Sequence, residues 1–141
     1  MFLATSNKVK QLLHLNYIQR VTPEELRRGG EDLKVLMADL KPGFRLVADF
    51  GRLESMDIAC APEIGRMMEL FDRGGVGLLV RVIPDPSKDI GMDILSIFHY
   101  RHHPPMATCK SLAEAFKKLS LRSGPEVETK RATPRQTTPR E

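Results

Sequence analysis

Two apolar runs on either side of one amphipathic stretch constrain this chain more than any other feature. Residues 44–50 (FRLVADF) and 76–83 (VGLLVRVI) are strand-sized, and the second is apolar along nearly its whole length. Such a run suits a strand covered on both faces, as in a parallel sheet. Between the two, 57–73 sets Ile64, Met67, Met68 and Phe71 at helical spacing. Pro62 falls in the first turn of that helix, where a missing N–H costs little. Gly74-Gly75 ends it and supplies a left-handed residue. The unit is strand, joint, helix, strand. Its joint, Ser55-Met56-Asp57-Ile58-Ala59-Cys60, exposes helix-start N–H groups and one end of the helix dipole.

The rest of the chain continues the alternation. Residues 11–21 (QLLHLNYIQRV) read as a strand. Thr22-Pro23-Glu24-Glu25 is a helix start, with Thr22 as cap, Pro23 at the first position and Glu25 closing a capping box. Leu26, Leu33, Leu36, Met37 and Leu40 keep helical spacing beyond it. Gly29-Gly30 interrupts this at roughly 1 kcal/mol per glycine, leaving either one weakened helix or a short turn before a better one. Residues 41–43 form a turn and 84–88 a loop. A helix is expected over 89–100, on Ile90, Ile94, Ile97 and Phe98, then a short strand over 104–109 and a last helix from Ser111 through Leu119. Strand and helix alternate four times, which predicts an α/β fold with a small, mostly parallel central sheet flanked by helices. One domain over 1–121 and a disordered basic tail over 122–141 follow, the tail being rich in Thr, Pro and charge and almost free of apolar residues.

Charge narrows the partners. The 141 residues carry a net charge of +4, but the tail from Arg122 holds five basic and three acidic residues. The body that remains, with 17 basic and 15 acidic groups, is close to balance, which argues against a dedicated nucleic-acid binder. Cys60 and Cys109 form neither a metal nor a disulfide pattern, so a reducing cytoplasmic setting is expected. The N-terminus lacks a leader pattern, and no run approaches the ~18 apolar residues of a membrane span.

At 44–82 the sequence resembles the core of STAS domains, the fold of bacterial anti-sigma-factor antagonists. Asp57-Ile58-Ala59-Cys60 stands where that family often has Asp-Ser-Ser-Gly or Asp-Ser-Thr-Gly, and Asp72-Arg73-Gly74-Gly75-Val76-Gly77-Leu78 resembles its helix exit. The order of elements extends the resemblance over about 11–120. It implies a regulatory protein partner, such as an anti-sigma-factor kinase. The family's phosphoacceptor is the second residue after the aspartate. Here that residue is Ala59, which has no oxygen, and Ile58 before it has none either.

The candidate site is therefore a partner surface made of Ser55, Met56, Asp57, Ile58, Ala59, Cys60, Glu63 and Arg66, with no catalytic residue and no phosphorylation at Ala59. Asp57 is also a natural helix cap. Ser55 is the nearest hydroxyl, in what reads as a loop. Cys60 at a helix start could be an activated thiol, but no base lies near it in sequence, so packing is the expected role. His99, His102 and His103 match no metal signature and suit helix-terminal carbonyls instead. Asp85, Asp89 and Asp93 lack the calcium-loop spacing. No cofactor and no metal is expected. The leading expectation is a non-catalytic regulatory interaction module, and a homodimer is compatible with it. The alternative is a sensor binding an anionic or nucleotide-like molecule between the 55–60 and 84–89 loops, since ligands favour the carboxyl ends of strands in open α/β sheets.

Overall fold

The long apolar run that begins at Phe44 becomes the central strand. In the computed structural model, which describes residues 1–85, 100, 102 and 104–122, the order of elements is β1 (Phe2–Asn7), β2 (Leu12–Val21), α1 (Pro23–Met37), β3 (Arg45–Met56), α2 (Ala61–Arg73), β4 (Leu78–Val82), β5 (Met106–Cys109) and α3 (Leu112–Arg122). A single 3-10 turn, Ile58–Cys60, joins β3 to α2. The sheet runs β1-β2-β3-β4-β5, with β2 through β5 parallel and β1 antiparallel to β2. The α/β, mostly parallel architecture predicted from the alternation is the one observed.

Each face of the sheet has its own core. On one, α1 and α2 bury Leu26, Leu33, Ile64, Met67, Met68 and Phe71 against Leu13, Leu15, Leu46, Phe50 and Leu79. On the other, α3 sets Ala115 and Leu119 against Val47, Leu78, Val80 and Val82. β4 is buried at all five positions, as its apolar sequence required. At roughly 1.5–3 kcal/mol for each fully buried large apolar side chain, these two layers supply the main favourable term of folding. Arg81 is the buried exception within β4. Its Nη2 donates to Thr108 Oγ1 at 3.0 Å, which ties β4 to β5.

Three features depart from the sequence reading, and a fourth, α1, takes one of the two forms it left open. The N-terminal strand β1 was not expected: it is short, and its alternation, with Phe2 and Ala4 turned to the core, spans only a few residues. α1 is one helix through both glycines. Gly29 is buried because the Phe2 ring occupies the space its side chain would need, so tertiary packing outweighs helix propensity there. β3 runs to Met56, not Phe50, because β2 continues to pair with it as far as Val21↔Met56. The last helix reaches Arg122, which the sequence reading had assigned to the tail. The expected helix over 89–100, the loop residues 86–88 and the tail from 123 lie outside the described residues, apart from Tyr100.

Candidate functional site

The joint between β3 and α2 is built by Asp57. Its backbone is extended (φ −65°, ψ 144°), and its Oδ1 accepts the Ala59 N–H at 2.8 Å. The Cys60 N–H donates to the Asp57 carbonyl at 2.9 Å, closing the 3-10 turn. Asp57 thus performs the capping role read from its position, one turn ahead of the α-helix proper. Pro62 then enters α2 without loss of a hydrogen bond, and Glu63 places a carboxylate in the first turn, where the helix dipole favours it.

The turn sorts its residues by exposure. Ile58 is 81 % exposed, and Asp57 and Ala59 stand exposed beside it. Met56 is half-buried and packs against the core beneath. Cys60 points inward, with its Sγ 3.5 Å from the Val21 carbonyl. Burial first, then the Asp57 carboxylate, pushes its thiol above the ordinary value. It holds the turn down from inside and is withdrawn from the surface on which the sequence reading had placed it. Ser55 is exposed but belongs to β3, opposite Arg20, and not to a loop.

Glu63 and Arg66 lead from this turn along α2 into a groove of about 540 Å³ between α1 and α2. Leu26, Met67 and Leu70 line its floor, and Arg27, Lys34, Arg66 and Arg73 line its rim with Glu31, Glu63 and Glu69. The Glu63 carboxylate, only 11 % exposed, meets Arg66 Nη1 at 2.7 Å and Arg27 Nη2 at 3.5 Å. Arg27 is the site residue that sequence reasoning missed. It stands on α1, and only the packing of α1 beside α2 brings it to Glu63.

Of the histidine cluster, His102 is among the described residues and finds a side-chain partner. His102 Nδ1 lies 3.1 Å from the Oδ1 of buried Asp72, and the His102 backbone N–H donates to the same oxygen at 3.3 Å. The ring therefore meets a side chain of α2. His99 and His103 lie outside the described residues, as do Asp89 and Asp93, while Asp85 is exposed. Among the described residues there is no group of three or more metal-ligating side chains, and no helix is long and apolar enough to cross a membrane.

No family model matches the chain, and no curated protein matches it. Solved structures do. The anti-sigma factor antagonist SpoIIAA in its unphosphorylated form is 15 % identical, with a TM-score of 0.57 over 85 % of this chain and 98 % of that one. SpoIIAA, described as a Bacillus cell fate determinant, in its phosphorylated form gives 15 % and 0.54 over 84 % and 99 %. An uncharacterized protein of the DUF3478 family with a SpoIIAA-like fold, from Shewanella loihica PV-4, gives 9 % and 0.62 over 84 % and 92 %. The chain has a STAS-like, SpoIIAA-like fold. At these identities the likeness is one of fold.

Proposed function

We propose that this chain is a non-catalytic, cytoplasmic interaction module of STAS type that docks a regulatory protein through the β3–α2 turn and the start of α2. The observation that carries this reading is Ile58, an apolar side chain standing free on a turn that is itself rigidly capped. Met56 anchors the turn in the core, Asp57 and Ala59 flank Ile58 in the chain, and Arg66, paired with Glu63, offers a charged margin. A small apolar centre with a charged rim is the usual anatomy of a docking patch. Because Ala59 has no hydroxyl, phosphorylation at that position cannot switch this surface. The partner class suggested by the resemblance is an anti-sigma-factor kinase.

The test replaces the missing switch. Ala59→Glu puts negative charge where a phosphate would stand and releases the partner captured from the protein's own cell, while Ala59→Gly, which adds neither charge nor hydroxyl, retains it. A partner held equally by Ala59→Glu contradicts the reading.

The groove between α1 and α2 favours a second reading, a sensor of an anionic small molecule held by Arg27, Arg66 and Arg73. It lies on the helix layer, not between the two loops the sequence reading named. A rise in Tm with pyrophosphate or ATP, lost in Arg66→Ala, supports it. No rise with either probe contradicts it.

A further inference from the structure

The two edges of the sheet are treated differently. β5 is four residues long and is entered through Pro104-Pro105, two devices that blunt an edge against pairing. β1, at the other edge among the described residues, is six residues long, with no proline, glycine or charged side chain and an unbroken register on β2. It is also held firmly. The Phe2 ring meets Tyr17 edge-on at 5.1 Å and fills the space above Gly29 of α1.

The register fixes which backbone groups face outward. The Ile18 N–H donates to the Met1 carbonyl at 2.8 Å, so residues 1, 3, 5 and 7 turn their peptide groups to β2. The N–H and C=O groups of Phe2, Ala4 and Ser6 therefore point away from the sheet. This short array is self-complementary. In an antiparallel pair centred on Ala4, Ala4 faces Ala4 of the second copy, and Phe2 faces Ser6. Every outward N–H then meets an outward C=O, and none is left over. No charge lies within Phe2–Ser6 to face its like across the axis. Leu3, 48 % exposed on the face away from α1, comes to lie against Thr5 of the other copy.

We propose that the chain forms a twofold homodimer by antiparallel pairing of β1 with β1 of a second copy, joining two five-stranded sheets into one. Such an interface is isologous and closed, so it ends at two copies. It lies on a different element from the β3–α2 turn, and its failure leaves the docking reading untouched.

Light scattering on the full-length purified chain, from micromolar to millimolar concentration, tests it. The expected mass is twice the 15.9 kDa of one chain. Ala4→Pro removes an outward donor and leaves the groups that bond β2 in place, and it gives the single-chain mass. In a second variant, Leu3→Cys with Thr5→Cys, the new thiols face one another across the axis at a non-hydrogen-bonded pair. Mild oxidation links this variant into a covalent dimer, while Leu3→Cys alone links far less. If Ala4→Pro fails to fold, the cross-link decides. A single-chain mass at every concentration overturns the proposal. So does a dimer that keeps its mass in folded Ala4→Pro, or one that the paired cysteines do not link. A purified chain that stays single while its β1 takes up a strand of another protein overturns it as well.

Discussion

At the scale of single residues, the helix starts carry the clearest physics. Thr22 and Glu25 form the reciprocal box read from the sequence. The Thr22 N–H donates to Glu25 Oε1 at 3.0 Å, and the Glu25 N–H donates to Thr22 Oγ1 at 3.2 Å. The hydrogen bond from the Thr22 backbone, aided by the nearby N-terminal ammonium, holds the Glu25 carboxyl below its ordinary value. A carboxylate with a lowered folded pKa stabilises the protein above the unfolded value, and that contribution is lost as pH falls through the folded one. Glu25→Gln is therefore expected to cost roughly 0.3–1 kcal/mol in urea unfolding at neutral pH, and less in acid, where Glu25 is already protonated. An equal cost at both pH values would show that the box acts by geometry alone. Asp57 was legible as a cap for the same reason. Cys60 reads both as a packing residue and as part of the partner surface; it turns inward toward the Val21 carbonyl, a choice the sequence leaves open because that carbonyl's place depends on the finished sheet.

At the scale of elements, the glycine pair in α1 separates propensity from packing. Gly30 has open space where a Cβ would stand, whereas a Cβ on Gly29 would lie 2.4 Å from the Phe2 ring. Gly30→Ala should stabilise the chain by roughly 0.5–1 kcal/mol, the ordinary helix preference for alanine. Gly29→Ala should destabilise it by about 1–3 kcal/mol, the range for overpacking, as Phe2 is displaced. Paired thermal melts decide this, and matching signs for the two variants would contradict it. The same pair explains what could be read beforehand. The β3–α2–β4 unit declared itself because its apolar periodicity is strong and its breaks are marked by Pro62 and Gly74-Gly75. β1 stayed hidden because a few alternating residues are too few to stand out, and its value rests on a partner, α1, that is distant in sequence. The true length of β3 was hidden because Gly51 and the polar residues after it read as a loop, yet β2 resumes pairing beyond Gly51, from Arg52 to Met56.

At the scale of the whole molecule, the STAS-like fold places a rigid sheet between two helical layers and leaves one capped turn at the carboxyl end of its longest strand. The regulatory reading depends on that turn behaving as a docking surface and not merely as a stable corner. Val35, 73 % exposed on α1, provides an internal comparison, since it is also apolar and also free of the core. Neither Ile58→Asp nor Val35→Asp should change Tm appreciably, because neither side chain is packed. The most direct measurement is a binding titration of the purified regulatory partner against the wild-type chain and these two variants. Loss of at least tenfold in affinity with Ile58→Asp, about 1.4 kcal/mol, and none with Val35→Asp is the expected result. Equal binding by all three would contradict docking at the β3–α2 turn.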